Sequence, residues 1–380
     1  MKILVNGTTL VIGGGLNVGR SLIVELARAP RGHIIRYVTS RELSDILPAE
    51  IDRTVIPVSP ARPFSGRKSR ALLREIERAF RPDVVLTIFG PSYWKPKAAH
   101  VCGFADPWLF TSNMYAWYLL DSKRRLFFKL QTLYKKKALF LGDTRALIVE
   151  TNAVAQAIKS LYPFTAVSVI PNNCGQAFFD QRASSDGHNP IMPPKEKTEF
   201  RVVTLSQYYR HKNLEIIPEI AAVIRGRLGG SKPRFYLPLD PDSSAWRLLA
   251  MSAQRLGVGD NVCTVGVVQP QMAPFFYEGA DAMLLPSVLE CFSANYPEAM
   301  KTGVPIITTD LPFAHSVCKD AALYFEPLNA RSAGQRLIDL HDNTSLMERL
   351  VERGKVIVAD LPSPPRKAGM YIDVCESLLK

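Results

Sequence analysis

The sequence has little that would let the chain cross a membrane or become crosslinked. No apolar run approaches the roughly 20 residues that a membrane-spanning helix needs. The six cysteines are scattered, without a Cys-x-x-Cys pair, which argues against a disulfide framework or a zinc site. The N-terminal stretch also lacks the apolar core and cleavage site of a signal peptide. We therefore expect a cytoplasmic protein.

An acidic excess is also lacking, and the basic excess is unevenly distributed. The 380 residues include 47 Lys and Arg against 35 Asp and Glu. Residues 1–190 hold 26 basic and 14 acidic residues, whereas the remaining residues hold 21 of each. The first half is therefore expected to meet an anionic partner. A phosphorylated substrate, a membrane surface and nucleic acid are the candidates.

Strand-like and helix-like segments alternate through both halves of the chain. This alternation predicts an α/β fold with two consecutive Rossmann-like domains, each an open parallel sheet, facing each other across a cleft. We expect the N-terminal domain at residues 1–178 and the C-terminal domain at residues 200–362. Residues 179–199 between them are rich in Ser, Pro, Gly and charge, and they are interpreted as a linker.

The segment PSVLECFSANYPEAMKTGVPIITTD, residues 286–310, carries two candidate functional carboxylates. A strand leads to a loop that contains Glu290, and a helix then begins near Pro297 and has Glu298 in its first turn. Main-chain amides at the start of this helix can bind an anion such as a diphosphate. They belong to Ser293, Ala294 and Asn295. Both carboxylates are expected to face one pocket.

These residues resemble the retaining GT-B glycosyltransferases of family GT4, whose pattern reads roughly PSxxEGFGLPxxEAMAxGxPVV. The matching positions are Pro286, Ser287, Glu290, Phe292, Glu298, Ala299, Met300, Gly303 and Pro305. The resemblance implies that Glu298 binds the ribose of the donor nucleotide and that Glu290 lies beside the transferred sugar. Cys291 and Ser293 replace the usual glycines, and their side chains would reshape the pocket or require strained torsions.

Other segments extend the resemblance over most of the chain. Residues 203–217 resemble the phosphate-binding turn of the family, in which Lys212 matches the lysine that neutralises the donor diphosphate. Gln207 stands where the family usually has arginine, and whether Arg210 replaces it is left open. Val267 lies in a loop that resembles the frame of the nucleotide base. The family also returns its last helix to the N-terminal domain, a role assigned here to residues 363–380.

The Gly-rich turn after the first predicted strand has two interpretations. A dinucleotide fingerprint would need glycine at position 18, but Val18 stands there, so a dehydrogenase is disfavoured. In GT4 enzymes this turn faces the cleft, which assigns Gly15 to the donor phosphate and Gly14 to the acceptor side. A turn that only packs a helix is the alternative. His100 is a further candidate cleft residue, although a packed or surface histidine is the interpretation that we favour.

Residues 122–137, SKRRLFFKLQTLYKKK, combine cations with apolar and aromatic residues. At helical spacing they predict an amphipathic helix that can lie on an anionic membrane. A core-facing helix with a solvated basic side is the alternative, and nucleic-acid binding is disfavoured. The cations of this predicted patch are Lys123, Arg124, Arg125, Lys129, Lys135, Lys136 and Lys137.

The resemblance implies a retaining hexosyltransferase that moves a sugar from a nucleotide diphosphate donor to a glycan or lipid-linked glycan. Such activity would serve cell-surface polysaccharide or lipopolysaccharide synthesis. The expected acceptor is a glycan or a polyprenyl-diphosphate-linked acceptor. The protein is expected in the cytoplasm or on the inner face of the cytoplasmic membrane. No cofactor, metal ion or nucleic acid is expected. A nucleotide-sugar epimerase and a catalytically silent scaffold subunit are the alternatives.

Overall fold

Short runs of apolar and β-branched residues form the strands of two separate sheets. The strand pairings within both sheets are parallel. The central strands Val84–Thr87, Glu199–Val203 and Ala282–Leu285 are buried throughout, as expected when helices cover both faces of a parallel sheet. The prediction of an α/β fold with two open parallel sheets is confirmed. The computed structural model describes residues 1–141, 144–180 and 189–379.

Thirteen strands are found in the described residues. In chain order they are β1 (Lys2–Gly7), β2 (Ile34–Ser40), β3 (Arg53–Ile56), β4 (Val84–Thr87), β5 (Ala99–Phe104), β6 (Thr144–Val149), β7 (Ala166–Val169), β8 (Glu199–Val203), β9 (Lys232–Leu237), β10 (Val262–Thr264), β11 (Ala282–Leu285), β12 (Ile306–Thr309) and β13 (Ala322–Phe325). The first seven form one sheet in the order β3-β2-β1-β4-β5-β6-β7, and the other six form the order β10-β9-β8-β11-β12-β13.

Helices connect these strands. They are α1 (Gly14–Arg28), α2 (Arg41–Asp45), α3 (Arg67–Phe80), α4 (Pro107–Phe110), α5 (Met114–Tyr118), α6 (Ser122–Leu141), α7 (Asn152–Leu161), α8 (Ala177–Asp180), α9 (Ile217–Ile224), α10 (Ser244–Arg255), α11 (Ala273–Tyr277), α12 (Asn295–Thr302), α13 (Pro312–Cys318), α14 (Ala330–His341), α15 (Thr344–Asp360) and α16 (Pro364–Ser377). Short 3-10 turns add Arg210–Lys212, Leu214–Ile216, Gly259–Asn261 and Pro270–Met272.

The chain divides into two compact units that are not continuous in sequence. The first unit consists of Met1–Ser112, Ser122–Asn172 and Pro362–Lys380, and the second consists of Asn113–Asp121 and Asn173–Leu361. The sequence placed the first border at residue 178, whereas the units divide at residue 172. It also assigned residues 113–121 to the N-terminal domain, although they group with the second unit.

Part of the predicted linker, residues 181–188, lies outside the described residues. The chain is already attached to the second unit at Asn189, whose Nδ2 donates a hydrogen bond to the Phe275 carbonyl at 2.8 Å. Its Oδ1 accepts bonds from the amides of Ile191 and Met192, both at 2.8 Å. The Met192 side chain is 4% exposed. The second half of the predicted linker is therefore an ordered border of the second unit.

The last helix, α16, packs in the first unit. Its buried residues Tyr371, Ile372 and Cys375 join the core cluster that also contains strand β1 and helix α1. Polar contacts fix the same helix, because Lys367 Nζ donates to Asn172 Oδ1 at 2.8 Å and Arg31 pairs with Asp373 at 2.6 Å. Residues 363–379 therefore pack within the first unit, and Lys380 lies outside the described residues.

The strand pattern was easier to detect in the second unit than in the first. Strands β3, β5 and β13 are absent from the sequence-based assignment. The short runs of β3 and β5, RTVI and AHVCGF, include charged, histidine or glycine residues, whereas the four residues of β13, ALYF, are apolar. The helix expected at residues 213–227 is shorter, since two 3-10 turns precede α9. Asn213 separates these turns with a left-handed φ of 53°.

Gly103 in strand β5 provides a test of the first unit's packing. A Cβ built there would lie 1.8 Å from the Ile88 carbonyl oxygen, so the backbone would have to shift. We expect Gly103→Ala to lower the free energy of unfolding by more than about 2 kcal/mol. Gly14→Ala is the matched control, because a Cβ there meets no atom within 4 Å. If both variants unfold at the same urea concentration, this description of the packing is contradicted.

Candidate functional site

The second sheet brings the predicted donor residues to one edge. Strands β8 and β11 are neighbours, yet β9 and β10 continue from β8 on one side while β12 and β13 continue from β11 on the other. This is a topological switch point, where the loops after two adjacent parallel strands diverge and leave a crevice. The loop after β8 leads to Lys212, and the loop after β11 leads to Glu290 and Glu298.

An ion pair joins the two loops. Lys212 Nζ lies 2.5 Å from Glu290 Oε1, and the two side chains are 15% and 9% exposed. Lys212 ends the 3-10 turn Arg210–Lys212, and the left-handed Asn213 follows it. A largely buried charge needs a partner of opposite sign, and each of these two groups supplies it to the other. The structure therefore brings together Lys212 and Glu290, the two predicted catalytic residues.

Main-chain contacts fix the loop that carries Glu290. The Val288 amide donates a hydrogen bond to the His211 carbonyl at 2.8 Å, next to Lys212. One residue earlier, the Ser287 carbonyl accepts a bond from Thr309 Oγ1 of strand β12 at 2.6 Å. Val288 and Leu289 are fully buried. The position of Glu290 is thus set by the 3-10 turn after β8 and by strand β12.

Glu298 lies in a buried polar network. Its Oε2 accepts a hydrogen bond from the Tyr277 hydroxyl at 3.2 Å, and Tyr277 is 1% exposed. Asn295 Nδ2 donates to the same hydroxyl at 3.3 Å and also to the Leu205 carbonyl of the loop after β8. Ser293 Oγ donates to Asn295 Oδ1 at 3.1 Å. Three of the predicted donor residues therefore share one network.

The surroundings of Glu298 favour its neutral form. Burial raises the pKa of the Glu298 carboxyl to about 7, and the hydrogen bond from Tyr277 offsets part of the rise. Cys174 lies close enough to be affected, since burial and then the Glu298 charge raise the pKa of its thiol to about 12. Perturbed carboxyl groups of this kind concentrate at functional sites. The sequence contained no signal for Cys174.

The beginning of helix α12 explains the two departures from the glycine pattern. Cys291 and Ser293 are buried and belong to the loop that precedes the helix. Neither has a positive φ, so the side chains stand there without left-handed strain. Ala294 is the N-cap residue, with φ −61° and ψ −24°. The Tyr296 amide donates to the Ser293 carbonyl at 3.2 Å.

The remaining donor candidates lie on exposed loops of the second unit. Gln207 is exposed, and its Oε1 accepts a hydrogen bond from the Tyr209 hydroxyl at 3.2 Å. Arg210 pairs with Glu215 at 2.8 Å and therefore has an intramolecular partner of its own. Val267 is 65% exposed in the loop after β10. These residues line no part of the buried network around Glu298.

Gly14, Gly15 and His100 belong to the first unit. Helix α1 begins at Gly14, where the side-chain position faces open space. His100 is 1% exposed within β5, with Nε2 2.9 Å from Thr87 Oγ1 and Nδ1 3.3 Å from Thr144 Oγ1. The inclusion of His100 among the cleft residues is therefore corrected. Both ring nitrogens serve the packing of the sheet, which agrees with the packed histidine that the sequence favoured.

Helix α6 carries the predicted basic patch and leaves large apolar side chains exposed. Leu126, Phe127, Leu130 and Leu133 are 59–65% exposed. The other side of the helix is packed, because Phe128 stacks on Trp108 with ring centroids 4.6 Å apart. The helix therefore combines features of both interpretations, a packed side and an uncovered apolar side.

The cations of this patch fall into two groups. Lys135 pairs with Asp106 at 2.5 Å, and Lys136 lies over the Phe110 ring at 5.3 Å, so both act within the first unit. The exposed cations of the helix are Lys123, Arg124, Arg125, Lys129 and Lys137. Across the described part of the chain, no helix is both long and apolar enough to span a bilayer.

Within the described residues, no group of three or more His, Cys, Asp and Glu side chains is arranged to hold a metal ion. The cation in contact with Glu290 is the Lys212 ammonium group.

Two family models match successive parts of the chain. The model described as "Glycosyltransferase Family 4" matches residues 12–173, and the model described as "Glycosyl transferases group 1" matches residues 192–356. Together the two matches cover most of the sequence, and the second contains the entire site at the switch point. No curated protein sequence matches the chain.

Solved structures share the fold over the full length. A sucrose-phosphate synthase from Thermosynechococcus elongatus superimposes with a TM-score of 0.77 at 16% identity, covering 100% of this chain and 99% of that one. WaaG, a glycosyltransferase involved in lipopolysaccharide biosynthesis, gives 0.68 at 18% identity, with coverage of 97% and 98%. HepE from Anabaena, in complex with UDP and glucose, gives 0.70 at 14% identity, with coverage of 99% and 100%. The fold is therefore GT-B.

The buried carboxyl group of Glu298 makes stability depend on pH. Because its pKa rises from 4.5 to about 7, the folded protein holds this proton between those pH values while the unfolded chain has released it. The group therefore destabilises the fold most above pH 7. We expect Glu298→Gln, which keeps an acceptor for Tyr277, to raise the free energy of unfolding by about 2–3 kcal/mol at pH 8 and to have little effect near pH 4.5.

Chemical denaturation of both proteins at several pH values measures this difference. Glu219→Gln in helix α9 is the control, because Glu219 is an exposed first-turn residue of the same unit. A difference between wild type and Glu298→Gln that is the same at pH 5 and pH 8 would contradict the raised pKa.

Proposed function

The chain belongs to the GT-B glycosyltransferases that combine a Family 4 module with a group 1 module, and from this premise we propose a specific reaction. It moves a sugar from a nucleotide diphosphate donor to a glycan or lipid-linked glycan, with retention of the anomeric configuration. The reaction would be a hexosyl transfer in cell-surface polysaccharide or lipopolysaccharide synthesis. The observation that carries this proposal is the 2.5 Å contact of Lys212 and Glu290 at the switch point, in the loop that leads into the helix of the buried Glu298.

Each of the three residues receives a role that suits its surroundings. Lys212 neutralises the donor diphosphate, because its ammonium group is the cation nearest Glu290 at the edge of the sheet. Glu298 accepts hydrogen bonds from the ribose hydroxyls, and Glu290 accepts them from the transferred sugar. Main-chain amides at Ser293, Ala294 and Asn295 assist Lys212 at the diphosphate.

In the proposed transfer, the bond between the anomeric carbon and the diphosphate oxygen breaks. The electron pair stays on that oxygen, and the acceptor hydroxyl oxygen forms the new bond and passes its proton to the leaving diphosphate. Charge develops on the leaving diphosphate, so a fixed cation there lowers the barrier. Lys212 supplies that charge in this proposal, and no metal ion or other cofactor is assigned a role.

Donor binding provides the first test. Thermal shift with UDP-, GDP- and ADP-sugars should identify the donor, since a ligand that binds only the folded state raises the midpoint. We expect Lys212→Ala and Glu298→Ala each to weaken donor binding by about 10–100-fold, the loss of a charge-assisted hydrogen bond. Lys232→Ala, an exposed lysine of the same unit, is the control. Unchanged affinity in both site variants would disprove the assignment.

Analysis of the products formed with and without an acceptor separates the alternatives. A nucleotide-sugar epimerase would change the bound sugar without any acceptor. A catalytically silent scaffold subunit would bind the donor, yet yield no product with an acceptor panel that includes polyprenyl-diphosphate-linked glycans. A transferase consumes the donor only when a suitable acceptor is present.

We also propose that helix α6 binds the inner face of the cytoplasmic membrane. Its exposed apolar side chains lie among exposed cations, the combination that favours an anionic lipid surface. The excess of basic residues in the first half agrees with this location. The acceptor would then be presented at the same surface.

Vesicle co-sedimentation tests the membrane proposal. The double variant Leu126→Ser with Leu130→Ser should reduce binding to vesicles containing phosphatidylglycerol by at least about tenfold, because two leucine side chains no longer enter the lipid. Leu248→Ser with Met251→Ser is the matched control, since these residues are 45% and 72% exposed on helix α10. The proposal would be contradicted if the wild-type protein did not sediment with these vesicles. It would also be contradicted if the protein sedimented equally with vesicles that lack phosphatidylglycerol.

A further inference from the structure

The loop that carries Glu290 also receives a hydrogen bond from a distant part of the sequence. Asn113 Nδ2 donates to the Val288 carbonyl at 2.8 Å. Asn113 precedes Val288 by 175 residues and opens the segment Asn113–Asp121, which groups with the second unit although the residues on both sides of it belong to the first. The contact is therefore internal to the second unit.

Both polar atoms of the Asn113 side chain are used. Its Oδ1 accepts a hydrogen bond from the Ala116 amide at 3.0 Å and so caps the N-terminus of helix α5. A cap needs only an acceptor, and Asp, Ser and Thr supply it as well as Asn does. The donation to Val288 comes from the amide nitrogen. Asparagine can accept through Oδ1 and donate through Nδ2 at once, whereas an aspartate at this position would offer no donor.

The bond to Val288 completes the fixation of the loop. The Val288 amide is already bound to the His211 carbonyl at 2.8 Å, and its carbonyl is bound by Asn113. Both polar groups of one residue are thus held, two positions before Glu290. A rotation of the 288–289 peptide would change the direction in which the Glu290 side chain leaves the loop, and its contact with Lys212 would lengthen.

We propose that Asn113 is a positioning residue of the donor site, which holds the Glu290 loop in the orientation that its sugar contact needs. The inference rests on the proposed function, because it takes Glu290 as the residue beside the transferred sugar. Asn113 itself is assigned no contact with the donor. Its role is to keep the carbonyl of Val288 bound while the loop accepts a ligand.

Asn113→Asp gives the sharpest test. The substitution keeps the size of the side chain and the cap on helix α5, but it places an oxygen where Nδ2 donates to the Val288 carbonyl. Asn343→Asp is the matched control, because Asn343 caps helix α15 through Oδ1 with the Leu346 amide at 2.9 Å. Asn113→Ser, which also keeps a cap, serves as the second variant if the aspartate lowers folding yield.

Binding of UDP and of UDP-glucose by each protein is measured by calorimetry, with the GDP or ADP pair used instead if only that pair stabilises wild type. Amide exchange of residues 286–290 is measured without ligand. We expect Asn113→Asp to bind the nucleotide sugar about tenfold more weakly than wild type and to bind the free nucleoside diphosphate as wild type does. The amides of residues 286–290 should exchange faster in this variant. Asn343→Asp should match wild type in all three measurements.

The results distinguish failure of the positioning role from failure of the proposed function. Equal loss of affinity for diphosphate and nucleotide sugar would show a merely structural effect and overturn the positioning role. Unchanged exchange of residues 286–290 would overturn it as well, whatever the binding data show. If wild type binds none of the nucleotides, the proposed function fails, whereas faster exchange in Asn113→Asp would still support the fixation of the loop.

Discussion

The pair of Lys212 and Glu290 is the interaction on which the site depends. Two parallel strands, β8 and β11, end side by side at the switch point of their sheet, so the loops that follow them begin together and then diverge. The 2.5 Å contact joins these loops again with opposite charges that are 15% and 9% exposed. Removing either partner would leave a poorly hydrated charge, which is far more unfavourable than losing a surface pair. The loops are therefore held closed at the edge where an anionic ligand would bind.

The two carboxylates of the motif differ in environment, although only eight positions separate them. Glu290 has a cation at 2.5 Å, whereas Glu298 has the neutral Tyr277 hydroxyl at 3.2 Å and is buried. Burial without a cation raises the pKa of Glu298, so the two carboxyl groups of the motif stand in different electrostatic environments. The difference arises from the helix start at Asn295, which turns Glu298 toward α11 instead of toward Lys212.

Much of this arrangement could be predicted from sequence because it is local. The apolar runs predicted most strands, and the motif at residues 286–310 placed Glu290 in a loop and Glu298 in the first turn of a helix. Strands β3 and β5 escaped because charged residues, histidine and glycine weaken their short patterns. The packed position of His100 depends in part on strand β6, because Thr144 of this strand, 44 residues away in sequence, contacts the ring.

Contacts between segments that are distant in sequence could not be predicted from any sequence pattern. Cys174 lies beside Glu298, and Asn113 binds Val288, yet neither residue belongs to a motif. The pairing of Arg210 with Glu215 likewise could not be predicted, because a 3-10 turn forms at Arg210 next to the predicted helix start. Local propensity cannot determine such neighbours, because they depend on which loops the sheet order brings together.

The resting pair also constrains how a donor would enter the proposed site. A diphosphate competes with Glu290 for Lys212, and a free nucleoside diphosphate that drew the ammonium group away would leave Glu290 buried without a counter-charge. A nucleotide sugar avoids this penalty, because its hydroxyls can donate hydrogen bonds to the released carboxylate. Under the proposed function, one lysine therefore couples recognition of the diphosphate to recognition of the sugar. Such coupling favours the intact donor over the spent nucleotide, provided that the loop holds Glu290 where the sugar hydroxyls can reach it.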